Sequence, residues 1–114
     1  MSILDWDIRS IALWQDKTFH PTARGQRLKS RSEALEYFAA VKAEEKTEEL
    51  VDFYISLCWL AYIRKDPVAM LILLLIEQLP YAAKIKTGVN KKMQINLGRK
   101  WYKTHTGEWR HIDE

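Results

Sequence analysis

The sequence of 114 residues contains few of the residues that shape sheet-rich or disulfide-bonded proteins. Its single cysteine, Cys58, excludes an intramolecular disulfide, and the apolar residues around it predict a buried, inert thiol. Four glycines and three prolines are too few for a fold with many tight turns. The longest apolar run, residues 67–76, is far shorter than the ~20 residues that cross a bilayer. These scarcities together predict a helical, soluble protein.

The residues that are abundant point the same way. Leu, Ala, Glu, Lys and Arg favour helices, and 47% hydrophobic residues are enough for one domain over residues 1–114 to bury a core. The N-terminal residues have no apolar segment typical of a secretory signal, so we expect a cytoplasmic protein and no membrane partner. A formal charge of +3 permits anionic ligands such as nucleotides without implying binding to duplex nucleic acid.

Apolar periodicity and capping residues predict an all-α fold. A loop is predicted over residues 16–30, Ser30 and Glu33 are expected to form a capping box, and residues 43–48 form a short acidic link. Asp66 and Pro67 are typical of a helix start, and Pro80 of an interruption. The predicted helices cover residues 3–15, 30–46, 47–64, a segment starting at 67, and 89–101.

Two of these helices have more apolar surface than one neighbouring helix can cover. Residues 50–63 are apolar on nearly every face, so their helix should lie at the centre of the fold. The helix after Pro67 contains more than six consecutive apolar residues, which one neighbouring helix cannot cover. It therefore predicts a subunit interface.

Two pairs of acids carry the functional signal. Glu33 and Glu36 are three residues apart, and so are Glu49 and Asp52, so each pair projects from one face of its helix. Glu36 and Asp52 lie inside apolar runs, where an unpaired carboxylate is costly to bury. If the two helices form an antiparallel hairpin, the four carboxylates converge, and hard oxygen ligands of this kind favour Mg²⁺ or Mn²⁺. A capping residue and a solvated charge run are the alternative interpretation.

A second group of candidate residues follows in the last helix. Lys92, Asn96 and Arg99 share one face and form a plausible polyphosphate-binding surface, although a solvated basic face has the same pattern. Near the N-terminus, Trp14, Phe19 and His20 offer a stacking surface for a base, or simple packing.

The acidic segments "EALE" and "EELVD", with twelve residues between Glu36 and Glu49, resemble the signature of the MazG-like all-α nucleoside triphosphate pyrophosphohydrolases. The segments "LWQDKTF", "DPVAMLILLLIEQL", "KMQINLGRKW" and "GEWRHI" are similar to the small phage-type branch that includes dATP/dGTP pyrophosphohydrolases. The resemblance implies a four- or five-helix bundle that assembles through its helices into a homodimer or homotetramer. For a phage-encoded protein it also implies the cytoplasm of the host cell.

The resemblance also implies a site and a reaction. Glu33, Glu36, Glu49 and Asp52 match metal-binding acids that hold one to three Mg²⁺ or Mn²⁺ ions, and Glu36 and Glu33 are the expected catalytic residues. Lys92, Asn96 and Arg99 match a nucleotide-contacting helix end, to which we add Trp14 and His20 as substrate-binding residues. The expected activity is hydrolysis of a (d)NTP, with purine dGTP or dATP preferred, to the monophosphate and pyrophosphate.

Two other functions fit the sequence. The first is a house-cleaning pyrophosphohydrolase that acts on non-standard nucleotides, which a panel of nucleotides would distinguish. The second, from a different class, is a small basic helical module that binds nucleic acid or acts as an adaptor. This second function predicts salt-dependent duplex binding without pyrophosphate release. The acids inside apolar runs argue against it.

Overall fold

The computed structural model describes residues 5–105 and 109–112. In this part of the chain, five helices are followed by a two-stranded antiparallel hairpin, which confirms the all-α class with one small addition. The first helix begins at Ile8, where Asp7 caps it, so the predicted helix is wrong for residues 5–7; its predicted start at Ile3 lies outside the described residues. The elements are α1 (Ile8–Phe19), α2 (Ala23–Ala39), α3 (Ala43–Tyr62), α4 (Pro67–Glu77), α5 (Ala82–Gly98), β1 (Trp101–Lys103) and β2 (Trp109–His111).

The predicted loop over residues 16–30 is wrong, because most of it is helical. α1 continues to Phe19, and α2 already begins at Ala23, where the Thr22 side chain caps it by accepting a hydrogen bond from Gly25 N–H. Pro21 lies just outside the helix, so it does not interrupt any helical hydrogen bond. The capping box at Ser30 is also wrong, since Ser30 lies within α2.

α3 packs against each of the other four helices and forms the centre of the fold, as its apolar faces predict. Its buried residues include Cys58, which is a free thiol without solvent exposure and whose pKa burial raises. The predicted acidic link over residues 43–48 is wrong, because these residues form the first turns of α3. Glu44 and Glu45 lie in its first turn, where carboxylates interact favourably with the helix dipole. Only residues 40–42 separate α2 from α3.

α4 begins as predicted, with Asp66 Oδ1 accepting hydrogen bonds from the N–H groups of Val68 and Ala69. Pro80 lies between α4 and α5, which confirms the predicted interruption. α5 begins at Ala82, earlier than predicted, and ends at Gly98, before Trp101. No single helix in the described ranges has both the length and the apolar character of a membrane span, although α4 and α5 reach both together across a 116° bend.

Candidate functional site

Three carboxylates meet where α2 packs against α3. Glu33 and Glu36 project from α2, Glu49 projects from α3, and one oxygen atom of each lies within 4.8 Å of the others. Glu33 is only 6% exposed, and its Oε2 atom is buried without a hydrogen-bond partner, as is Oε2 of Glu49. Buried carboxylate oxygens without partners are costly, and they are hard donors that suit a divalent cation. These three residues could therefore hold a metal ion.

The electrostatics of the three acids agree with this geometry. Burial raises the pKa of Glu33, and the nearby negative charges of Asp52 and Glu36 raise it further. Burial also raises the pKa of Glu49, to about 7, together with a hydrogen bond to Glu36 and the charges around it. Burial and the neighbouring negative charges thus both disfavour the ionised forms of these carboxyl groups, and a bound cation would favour them.

Two lysines partly compensate these acids. Lys29 Nζ lies 3.2 Å from Glu33 Oε1, and Lys92 Nζ, on α5, lies 3.3 Å from Asp52 Oδ1. Burial raises the pKa of Asp52, whereas the charge and the hydrogen bond of Lys92 lower it. Asp52 does not belong to the group of three within 4.8 Å, although its charge acts on both Glu33 and Glu49. The ion pair of Asp52 with Lys92 thus links α5 to the acids.

A cavity of about 350 Å³ extends from these acids to a group of aromatic rings. Glu33, Glu36 and Asp52 line it, together with Lys92, Asn96 and Arg99 of α5 and its C-terminal end. Its aromatic lining includes Trp14, Phe19 and Trp101, whose ring centroids lie 5.0 to 6.4 Å apart in edge-to-face arrangements. Carboxylates, cations and aromatic rings thus line one cavity.

Between the acids and the aromatic rings, buried amide and hydroxyl side chains of α1 and α2 donate hydrogen bonds to backbone oxygens of α3. Ser56 O, one turn beyond Asp52, accepts hydrogen bonds from Gln26 Nε2 at 2.7 Å and from Ser30 Oγ at 3.1 Å. The neighbouring carbonyl oxygen, that of Ile55, accepts one from Gln15 Nε2 of α1 at 2.9 Å. These bonds hold α1 and α2 in fixed positions against α3.

The structure brings most of the predicted site residues to this cavity. Glu33, Glu36, Asp52, Lys92, Asn96, Arg99 and Trp14 line it, and Glu49 adds its carboxylate to the acidic cluster. His20 does not line the cavity; it is exposed and ends α1 with a left-handed backbone, φ 46°. The expected apolar surroundings of Glu36 are wrong, because Glu36 is exposed and Glu33 is the buried acid of this pair. The apolar neighbours of Glu36 in the sequence, Leu35 and Phe38, are themselves 56% and 75% exposed.

Several residues of the cavity were not predicted from the sequence. Lys29 was a detectable partner, since it lies four residues before Glu33 on the same helix face. The two strands of the hairpin were not predicted either; they lie on either side of a Gly-containing segment. The unpredicted lining residues include Gln15, Gln26, Lys29, Ile55, Ser56, Trp101, Tyr102, Arg110 and His111.

Comparisons of the chain with protein-family models, with curated proteins and with solved structures find no match. The chemistry of the cavity is therefore inferred from its own residues.

Proposed function

We propose that the chain is a metal-dependent nucleoside triphosphate pyrophosphohydrolase that converts a (d)NTP to the monophosphate and pyrophosphate, with purine substrates preferred. The observation that carries the proposal is the convergence of Glu33, Glu36 and Glu49 beside a cavity that cations and aromatic rings also line. The resemblance of the acidic segments to the MazG-like pyrophosphohydrolases agrees with it. The acids alone would fit many cation sites, so the shared cavity is the decisive feature.

Glu33, Glu36 and Glu49 would hold the cation, with Asp52 as a fourth carboxylate beside them. A Mg²⁺ or Mn²⁺ ion bound there supplies positive charge for the phosphate oxygens and lowers the pKa of a water molecule. The four carboxylates would hold one to three ions. Carboxylates rather than thiolates or imidazoles favour these hard cations over zinc.

The remaining residues bind and orient the substrate. Lys92 and Arg99 neutralise the negative charge of the phosphates, and Arg99 is able to form paired hydrogen bonds to phosphate oxygens. Glu36 is exposed to the cavity side of the cluster, so it accepts the proton of the attacking water, while the buried Glu33 keeps a fixed position. Trp14 and Trp101 pack against the base and exclude water from one end of the cavity.

The test is incubation of the protein with each dNTP and Mg²⁺, with the products followed by ³¹P NMR. We expect monophosphate and pyrophosphate, and no products when a chelator removes the metal. Glu33→Gln and Glu36→Gln should each lower the rate at least about a hundredfold, because each removes a charge that the cation and the water require. The matched control is Glu48→Gln, which neutralises an exposed acid on α3 outside the cluster.

Two results would contradict the proposal. If the products were a nucleoside diphosphate and orthophosphate, water would attack the γ-phosphorus atom instead of the α-phosphorus atom. Full activity of Glu33→Gln and Glu36→Gln would show that the acidic cluster is not the site of hydrolysis. Circular dichroism of each variant checks that a loss of activity does not come from loss of the helical fold.

A further inference from the structure

One polar atom on the wall of the cavity, the side-chain oxygen of Gln15, takes no part in the contacts described so far. Gln15 is 4% exposed and lines the cavity, and its side-chain oxygen, Oε1, is buried without a hydrogen-bond partner. An unpaired buried acceptor destabilises a folded protein by about 1–3 kcal/mol. Such atoms are rare, and each usually marks a bound water or a ligand.

The orientation of this amide is fixed. Gln15 Nε2 donates a hydrogen bond of 2.9 Å to the carbonyl oxygen of Ile55, which has no hydrogen to give. The nitrogen atom of the amide must therefore face α3, and the oxygen atom faces away from that bond. The oxygen atom is thus the part of the Gln15 amide that lacks a partner, and it offers a hydrogen-bond acceptor at the cavity wall.

A second acceptor lies in the same cavity. Asn96 is 6% exposed, and its Oδ1 atom is also buried without a partner. Its backbone oxygen lies 3.4 Å from the indole nitrogen, Nε1, of Trp101, which places Asn96 beside the aromatic rings. Its Nδ2 atom lies 3.9 Å from Met93 Sδ, a weak acceptor that does not by itself fix the amide. Gln15 is therefore the fixed acceptor of the two.

Two unpaired acceptors beside aromatic rings match one type of base. An exocyclic amino group carries two N–H donors, enough for both oxygen atoms. Hypoxanthine has no exocyclic amino group: a carbonyl oxygen replaces the 6-amino group of adenine, and a hydrogen atom replaces the 2-amino group of guanine. An acceptor placed for that amino group therefore loses its partner. A site with buried acceptors rejects a ligand that lacks the donor more strongly than an apolar pocket rejects a change in size.

Resting on the proposed hydrolytic function, we infer that Gln15, together with Asn96, determines base specificity by accepting hydrogen bonds from the exocyclic amino group of the nucleobase. The site thus selects dATP or dGTP over dITP, which has a purine ring without an amino group. This assigns to Gln15 a role in recognition beyond its contact with α3.

The experiment compares kcat/KM for dGTP, dATP and dITP in the same protein with Mg²⁺, measured by release of pyrophosphate. We expect at least one of the two amino-bearing purines to exceed dITP by about tenfold or more, the effect of one lost hydrogen bond to a buried acceptor. Equal kcat/KM values for all three, or a preference for dITP, would overturn the inference and leave the hydrolytic function intact. Absence of pyrophosphate release from all three would overturn the proposed function and this inference with it.

Variants make the assignment specific to Gln15. Gln15→Met replaces the amide by an apolar side chain of similar length, and the ratio of kcat/KM between the preferred purine and dITP should fall towards one. The matched control is Gln26→Met, which removes an amide that also donates to an α3 carbonyl oxygen on the cavity wall. Its oxygen is not among the buried unpartnered atoms of the described residues, so the ratio should stay as in the unmodified chain.

A specificity ratio that Gln15→Met leaves unchanged, in a variant that folds, would assign base selection to other residues and overturn the inference. If Gln15→Met does not fold, Gln15→Leu takes its place in the same comparison, and an unchanged ratio in that variant overturns the inference in the same way.

Discussion

At the scale of single residues, the two neighbouring acids of α2 differ in how deeply they are buried. Glu33 is buried and paired with Lys29, whereas Glu36 is exposed, although the sequence around Glu36 is the more apolar. The position of a residue on its helix decides which side faces α3, and the hydrophobicity of its neighbours in the sequence does not. Because these acids lie close together and are partly buried, their charges should affect the free energy of unfolding.

Glu49 gives this stability a defined dependence on pH in the absence of metal. Its pKa in the folded protein is about 7, above the ordinary value of 4.5, so the folded state retains a proton that the unfolded chain has already released. The free energy of unfolding therefore falls as the pH rises from 4.5 to 7. Glu49→Gln should reduce this fall and be more stable than the unmodified chain at pH 8, by roughly 1–2 kcal/mol after allowance for solvent screening.

The measurement is thermal unfolding with a chelator at pH 5 and pH 8. The difference between Glu49→Gln and the unmodified chain should be large at pH 8 and small at pH 5. Part of the pH dependence should remain in the variant, because the pKa values of Glu33 and Asp52 are raised as well. Glu48→Gln is the control. A variant that is equally stable or less stable at pH 8 would contradict the described electrostatics.

At the scale of the elements, the cavity depends on how closely α5 approaches α3. Gly88 of α5 lies against Val51 of α3, so that a Cβ atom added to Gly88 would be 2.7 Å from Val51 Cγ2. Lys92 and Asn96 follow Gly88 by one and two turns on the same helix. The missing side chain of Gly88 thus sets the distance at which these residues reach the cavity.

Gly88→Ala should therefore destabilise the protein. Overpacking costs about 1–3 kcal/mol, and the higher helix propensity of alanine returns about 1 kcal/mol of that. Gly98→Ala is the matched control on the same helix, since nothing lies within 4 Å of its added Cβ atom, and it should be neutral or slightly stabilising. Urea unfolding monitored by circular dichroism measures both. A Gly88→Ala protein at least as stable as the Gly98→Ala protein would contradict the close approach.

At the scale of the whole molecule, α4 leaves an apolar surface uncovered. Leu73 and Ile76 are buried against the rest of the chain, whereas Val68, Leu71 and Leu75 are 57% to 64% exposed. A row of exposed apolar side chains on one helix is typical of an interface. We expect this surface to bind a second copy of the chain, in a homodimer or a homotetramer.

The double substitution Leu71→Gln and Leu75→Gln tests this expectation. It should lower the molar mass measured by size-exclusion chromatography with light scattering, because it removes apolar area from the contact. Leu13→Gln, which changes a leucine on α1 that is 45% exposed, should leave the mass unchanged. An unmodified chain with the mass of one protomer at micromolar concentration would contradict the expected assembly.

The sequence by itself determined the helical class, the central place of α3, the start of α4 and the acids that meet on α2 and α3. These features follow from local properties, namely apolar periodicity, capping residues and spacing along a helix, which hold wherever the segment lies. The loop over residues 16–30 and the link over residues 43–48 were misjudged, because Pro21 and Gly25 are also compatible with a capped helix start, and acids with a first helical turn.

Only the tertiary structure decided which residues share the cavity. It placed Glu33 in the interior and Glu36 at the surface, added Lys29 and the hairpin to the cavity, and left His20 outside it. It also revealed that the side-chain oxygen of Gln15 has no hydrogen-bond partner. This depends on how α1 packs against α3, where Gln15 contacts Ile55, a residue forty positions further along the chain. Whether a side chain is buried or has a hydrogen-bond partner depends on residues that are close in space but distant in the sequence, so a local sequence pattern does not predict it.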